Sequence, residues 1–421
     1  MINAATRDFI HSHIQEDVRQ LALRSLPEGV DRPVALQQIA GHQLALRKFP
    51  SFAGRAELWY PPHLNLEQCS SEATALYKRH LVERLGGDIL YDLTGGFGID
   101  FMTLAPRFSR AVYVELNKDL CQLAQHNFPL LGCSHAEIVC DSAEDVLRQM
   151  PIAFAETTVI FIDPARRDSA GRKVCLVEDC TPDVCALQDE MRSHVRYTLI
   201  KLSPMLDLTA ALRALHGIEE VHVVSVAGEC KELLLVMGRD MHPADEIPIF
   251  CVDLRPSSDE EGEPDSQKLI FTFEEESATV TDAYFSFPER EDSLNSCYLY
   301  EPNASIMKAG AFKTIAKRFD VQKLAPHAHL YASRTLLPQF PGRCWKVLDY
   351  ATFGKKELRR LLADIDAADL TVRGFPASVA TLRKQLRLRE GGAAHLIATT
   401  QSNGTKLLLR VQMVSVNPKK S

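Results

Sequence analysis

Hydrophobic positions give the chain three successive textures. Up to about residue 85 they recur at three- and four-residue spacings, as in HQLALRKFP and SSEATALYKRHLVERL, and Gly86-Gly87 closes the second run. That period lays one apolar stripe along a helix, so residues 1–84 are expected to form an N-terminal helical region. From 85 to 240 the apolar residues gather into short runs: 88-DILYD-92, 111-AVYVE-115, 136-AEIVC-140, 157-TTVIFID-163 and 196-RYTLIKL-202. Helix-sized segments such as LCQLAQHNF and AEDVLRQM lie between them. Such spacing predicts β-α-β units and a parallel sheet buried on both faces. Two further runs, 220-EVHVVSVA-227 and 232-ELLLVMG-238, are too close for a parallel crossover and predict an antiparallel pair.

Beyond 240 the texture changes again. The acidic stretch SSDEEGEPD, residues 257–265, reads as a solvated loop at a domain edge. LIFTF, YLY, the helical NASIMKAGAFKTIAKRF and HLYAS follow, giving a small α+β domain at 241–330. A βαβαββ-like order closes the chain over 331–421: WKVLDYA, KKELRRLLADI, DLTVRGF, SVATLRKQLRLRE, HLIATT and KLLLRVQM. In the SVATLRKQLRLRE helix, Ser378 is the expected cap and Val379, Leu382 and Leu386 the buried stripe. Arg383, Lys384, Arg387 and Arg389 then face outward, with Gly391-Gly392 as the stop.

A length of 421 residues with 46% hydrophobic and 24% charged residues fits a multidomain globular protein. No apolar run reaches 18 residues and the N-terminus lacks a basic segment followed by an apolar core, so neither a membrane span nor a secretory signal is expected. Eleven cysteines without a CxxC pair argue against a zinc ribbon or disulfide framework and for reduced thiols in a cytoplasm, with no metal. Charge is divided unevenly. Residues 301–421 hold 21 Lys/Arg against 8 Asp/Glu, net +13, and residues 1–300 hold 27 against 47, net −20. A basic end on an acidic body is either a solvated face or a footprint for nucleic acid.

Three glycines, Gly95, Gly96 and Gly98, follow the first predicted strand in 92-DLTGGFGID-100. At the carboxyl end of a parallel strand they let backbone approach a ligand and open a helix N-terminus, but their spacing is not the dinucleotide pattern GxGxxG. Glu115 ends the second strand, where an acid can accept two ribose hydroxyls. Asp141-Ser142 follows the third strand, and Asp163 ends the fourth inside FIDPARRD.

These features in this order resemble the class I S-adenosylmethionine-dependent methyltransferases over about residues 85–240. The resemblance implies a Rossmann-like, seven-stranded methyltransferase sheet, here with an N-terminal helical region and small α+β C-terminal domains, the first of them ferredoxin-like. It implies S-adenosylmethionine as cofactor, with Asp92, Thr94, Gly95, Gly96 and Gly98 around its methionine part. Glu115 with Leu116 would meet the ribose, Asp141 with Ser142 the adenine, and Asp163 the sulfonium and substrate. The whole chain also resembles a narrower bacterial group with a THUMP-like last domain, through 67-EQCSSEATALYK-78, FIDPARRD, 301-EPNASIMKAG-310, 340-FPGR-343 and 374-GFPASVATLRKQLRLREGG-392. THUMP domains occur in RNA-modifying enzymes, which implies tRNA or rRNA as partner. Alternatives are a noncatalytic RNA-binding protein that keeps the cofactor fold, and a methyltransferase for protein or a small molecule.

DPARRD is similar to the Asp-Pro-Pro-Arg element of some RNA base methyltransferases, but no aromatic follows it to stack on a flipped base, which argues against exocyclic-amine methylation. A cysteine adduct would need a thiol at a strand end beside the cofactor; LIKLSP carries Lys201 and Ser203 instead, and Cys175, Cys180 and Cys185 read as small buried hydrophobes. Asp163 is therefore the expected catalytic group, with Arg166. Arg166 and Arg167 either grip a phosphate or base, or pair with Asp168 or Glu178. Arg167, Lys201, Arg383, Lys384 and Arg387 are the expected substrate contacts. Ser70 or Ser71 is the expected cap of the helix that leads into the first strand, and the same position permits Gln68 or Ser71 to touch cofactor.

Overall fold

Helix signals at the start of the chain are realised as local caps. In the computed structural model, which describes residues 2–55, 57–150, 156–166, 176–255, 266–281, 283–287 and 297–414, the first elements are α1 (Ala4–His13), α2 (Val18–Leu23), α3 (Arg32–Lys48), α4 (Pro50–Ala53), α5 (His63–Gln68) and α6 (Glu72–Leu85). Asn3, Asp17, Asp31 and Ser71 each accept a backbone N–H of the helix they open. Phe9, Ile10, Leu21, Ala35 and Ile39 form the apolar seam among α1, α2 and α3.

The alternation of strand and helix predicted from 85 onward is observed as β1 (Ile89–Asp92), α7 (Ile99–Leu104), β2 (Arg110–Val114), α8 (Lys118–Leu130), β3 (Ala136–Val139), α9 (Ala143–Gln149), β4 (Thr158–Ile162), α10 (Val184–His194), β5 (Tyr197–Leu202), α11 (Leu208–Ala214), β6 (Ile218–Val226) and β7 (Glu229–Met237). Their order in the sheet is β3-β2-β1-β4-β5-β7-β6. β1 through β5 pair in parallel, and β7 is antiparallel to both β5 and β6. Ala227 (φ 53°) and Gly228 (φ 81°) alone turn the chain between β6 and β7, as the short spacing required. Strand order reverses at β1 and β4, whose carboxyl ends carry Asp92 and Asp163 side by side, with Asp92 in register with Phe161.

The chain divides into a first unit up to Ile247 and a second from Gln267 onward that also takes in Pro248–Asp253. β8 (Ile249–Leu254), β9 (Ser266–Phe271) and α12 (Phe273–Ala278) lie along this passage. The acidic stretch 257–265 lies outside the described residues. In the second unit follow β10 (Tyr298–Pro302), α13 (Ala304–Ala309), α14 (Phe312–Phe319), β11 (Gln322–Ala325), β12 (Ala328–Ser333), β13 (Gly342–Thr352), α15 (Lys355–Leu361), β14 (Ala367–Arg373), α16 (Val379–Leu386), β15 (Arg389–Glu390), β16 (Ala394–Thr400) and β17 (Lys406–Met413). The helical run NASIMKAGAFKTIAKRF is split at Gly310 (φ 84°) into α13 and α14. The EPNAS and FPGR segments meet here: Asn303 N–H donates to the Pro341 carbonyl, and a Cβ on Gly342 would fall 2.0 Å from the Glu301 carbonyl oxygen.

The expected helix through residue 390 ends four residues early. Ser378 caps α16 as predicted, but Arg387 adopts a left-handed φ of 57°, which carries Leu388 into the core and Arg389 into β15. Tertiary burial of one leucine outweighs continuation of the helix, and Val379, expected inside, is exposed.

Candidate active site

The glycine loop packs on an aromatic cluster of Phe101, Tyr113 and Phe128, with ring centroids 5.0 to 5.5 Å apart. A Cβ on Gly95 would lie 2.0 Å from the Tyr113 ring, and one on Gly98 2.9 Å from Phe128 at a φ of 89°. Gly96 differs: its φ is 57°, yet the nearest atom to its virtual Cβ is the Thr94 carbonyl at 3.8 Å. Two of the three glycines thus answer to the core, and one lines open space. Tyr113 Oη donates to the Gly96 carbonyl (2.5 Å) and Gly96 N–H to Glu115 Oε2 (2.8 Å), which fixes the loop against the end of β2.

The loop forms one wall of a cleft of about 660 Å³ at the carboxyl ends of β1, β2, β4 and β5. Asp92, Thr94, Gly95, Gly96 and Gly98 line it, with Glu115, Leu116, Asp141 and Ser142 along one side and Asp163, Arg166 and Lys201 along another. The sequence-expected residues of 85–240 that fall among the described ones are therefore brought together. Arg167 lies outside the described residues. Glu115 holds two backbone N–H groups, of Gly96 and Asn117. Asp141 accepts the Ser142 N–H, and Ser142 caps α9. Leu116 is 72% exposed, an apolar face left open beside Glu115. Ser71 is a helix cap, whereas Gln68 faces the cleft.

Under the cleft runs a buried charge network that no sequence pattern announced. Lys201 Nζ lies 2.5 Å from Asp163 Oδ2 and 3.5 Å from Asp100 Oδ2. Lys78, fully buried in α6, reaches both carboxylate oxygens of Glu232 at 2.7 Å and Asp100 Oδ1 at 3.2 Å, and Ser70 donates to Asp100 at 2.7 Å. Burial alone would lower the Lys201 ammonium, but Asp163, Asp100 and Glu232 outweigh it and hold it above its ordinary value. Lys201, expected as a substrate contact, lines the cleft as the counterion of Asp163 and is 8% exposed. Sequence marks this network only loosely: Ser70 and Lys78 belong to EQCSSEATALYK and Asp100 ends DLTGGFGID, while Glu232 sits in no motif.

Arg166 lies on the cleft, and Ala165 is clamped to Thr181 by two backbone hydrogen bonds of 2.7 and 3.0 Å. Among the described residues Arg166 forms no ion pair with Glu178, and Asp168, the other expected partner, lies outside the described residues. A thiol does face the cleft, that of Cys69, which sequence reasoning placed only in a helix-start motif. Burial pushes it up to about 11, so it is protonated and a poor nucleophile near neutrality. In the second unit Arg383, expected to face outward, donates to the Ala368 and Arg389 carbonyls, joining β14 to β15; Lys384 and Arg387 are exposed.

Two observations fit a bound sulfonium cofactor. Asp92 is 1% exposed, one of its oxygens accepts the Thr94 N–H, and Oδ2 has no hydrogen-bond partner among the described residues, with burial holding the carboxyl well above its ordinary value. An orphaned buried acceptor calls for a donor from a ligand. Second, three carboxylates, Asp100, Asp163 and Glu232, share two ammoniums, Lys78 and Lys201, leaving a surplus negative charge that complements a cation. Among the described residues no group of three His, Cys, Asp or Glu side chains could hold a metal ion, and no helix is long and apolar enough to cross a membrane.

Known proteins agree with this arrangement. The crystal structure of a provisionally assigned methyltransferase from Porphyromonas gingivalis W83 is 31% identical and covers 99% of this chain and 100% of its own, with a TM-score of 0.83. An uncharacterised S-adenosylmethionine-dependent methyltransferase of Mycobacterium tuberculosis is 25% identical over 347 residues, 80% of this chain and 85% of the relative. Residues 298–341 match a ferredoxin-like domain family and residues 342–412 a THUMP domain-like family. The parallel sheet and its cleft define a Rossmann-like cofactor enzyme. The chain belongs to the S-adenosylmethionine-dependent methyltransferases that carry a THUMP-like C-terminal domain, and S-adenosylmethionine is its cofactor.

Proposed function

We propose that this methyltransferase modifies a base in a structured RNA, tRNA or rRNA, and that its basic C-terminal part holds that RNA. One observation supports the substrate above all: the THUMP-like segment 342–412 falls in the third of the chain with net charge +13, on a body of −20. In the proposed site Asp92, Thr94, Gly95, Gly96 and Gly98 take the methionine part of the cofactor, Glu115 and Leu116 the ribose, and Asp141 and Ser142 the adenine. The cofactor supplies a methyl group on a positively charged sulfur. Asp163 orients the acceptor or takes its proton, and Lys201 fixes that carboxylate in direction. Thr94 Oγ1, accepting the Asp163 N–H at 2.6 Å, ties the catalytic strand end to the glycine loop. Arg166 steadies a phosphate or base, with Lys384 and Arg387 as backbone contacts farther along the chain. The protonated Cys69 argues against transfer through a thiol adduct.

Incubation with labelled cofactor and total RNA from a strain lacking the gene tests the reading. Label is expected in one RNA species; label confined to protein or small-molecule fractions rejects RNA.

A further inference from the structure

A second cleft, of about 290 Å³, opens in the first unit between α1, α3 and the segment that follows α4. It shares no lining residue with the cofactor cleft. Its interior is ring-rich: Trp59 stacks on His126 at 3.9 Å, and His42 meets the Tyr60 ring edge-on at 6.1 Å. Ile10 and Leu58 complete the apolar wall.

The polar groups here are out of balance. Gln38 is fully engaged with the Tyr60 backbone, donating to its carbonyl and accepting its N–H. His42, by contrast, is 9% exposed and has no hydrogen-bond partner among the described residues, and burial lowers its imidazole below the ordinary value, so it is neutral near pH 7. The Tyr60 hydroxyl is buried without a partner among the described residues, and burial pushes its phenol up to about 12. A ring-lined cavity with one unsatisfied hydroxyl on its wall and a cation at its mouth fits a ligand with an aromatic body and an anionic group. At the mouth stand Arg7 and His11, one turn apart on α1, against the single acid Glu57.

We propose that this cleft binds a small aromatic carboxylate, its ring between His42, Tyr60 and Ile10 and its carboxylate toward Arg7. Tyr60 also touches Phe97, the residue between Gly96 and Gly98, at 6.2 Å between ring centroids, so the ligand would sit one residue away from the cofactor loop.

Only two tryptophans occur in the chain, Trp59 and Trp345. In a Trp345→Phe background of the full-length protein, Trp59 fluorescence reports on the cleft alone. Titration with phenylacetate is expected to give a saturable change at millimolar concentration or below, and benzyl alcohol, the same ring without the charge, to bind at least about tenfold more weakly, because it forgoes a charge-assisted hydrogen bond. Arg7→Gln should abolish the difference between the two probes, and His42→Leu should weaken both. Each variant is checked by its circular dichroism spectrum and by calorimetry with S-adenosylmethionine, which a folded chain retains. No saturable change with phenylacetate overturns the proposal. Equal binding of benzyl alcohol overturns the carboxylate, and an unaffected His42→Leu isotherm in a folded protein overturns the location.

Discussion

Glycine at three neighbouring positions does two different jobs, and substitution separates them. A methyl on Gly95 meets the Tyr113 ring, so Gly95→Ala is expected to cost about 2 kcal/mol by overpacking and to lower the thermal midpoint. Gly96→Ala has room and bears only the left-handed backbone, about 1 kcal/mol, so it should remain folded while cofactor affinity falls in calorimetry. Equal cofactor affinity in Gly96→Ala and wild type would remove Gly96 from the proposed pocket. At Asp163 the expected division is between binding and transfer. Asp163→Asn keeps the side chain's shape beside Lys201, should bind S-adenosylmethionine as before, and should lose transfer by about 10²-fold or more. Lys201→Met leaves Asp163 without its cation and Asp100 with Lys78 alone, and about 3 kcal/mol of stability should go with it.

Between elements, α6 joins the N-terminal helices to the sheet through two polar ties rather than an apolar seam alone. One is Lys78 with Glu232 of β7. The other is a chain in which the Tyr77 hydroxyl donates to His222 Nδ1 (2.7 Å), and His222 Nε2 and Arg84 both donate to Glu220 of β6. Burial alone would raise the Glu220 carboxyl; the His222 and Arg84 hydrogen bonds win and hold it down to about 2, from an ordinary value of 4.5. A depressed carboxyl contributes stability that is present above its unfolded value and is lost as pH falls through the folded one. The thermal midpoint of wild type should therefore approach that of Glu220→Gln between pH 4.5 and 2, with the gap largest above pH 5. A gap that stays constant with pH would show that the tie works by shape and not by charge. The α16 helix is shaped in the same way: period alone would carry it to residue 390, and the pull of Leu388 into the cluster with Leu382 and Leu396 ends it at Leu386.

Across the molecule as a whole, the segregated charge sets the mode expected of the proposed RNA binding. Binding through phosphates releases counterions, so affinity should fall steeply with salt. Replacing Lys384 and Arg387 together by glutamine should reduce the slope of log affinity against log salt by about 2, near 1 for each phosphate no longer engaged. An unchanged slope would leave those two cations as solvated neighbours of the fold. Arg383 is the control that distinguishes the cases, since it already serves the β14 and β15 carbonyls and its loss should reduce stability before affinity.

The parallel β-α-β order, the antiparallel β6 and β7, and the strand-end acids Asp92, Glu115, Asp141 and Asp163 are all legible in the amino-acid sequence. Each depends on local spacing, which a single period or turn length encodes. Which charges meet under the cleft follows only from the packing of distant elements. Lys78, Asp100, Lys201 and Glu232 are spread over 154 positions of the chain, and nothing in their neighbourhoods says that helix α6 lowers one of them onto the sheet. Packing likewise turns Arg383 inward and brings Cys69 to the cleft, because burial is a property of assembled elements and not of the residues that enter them.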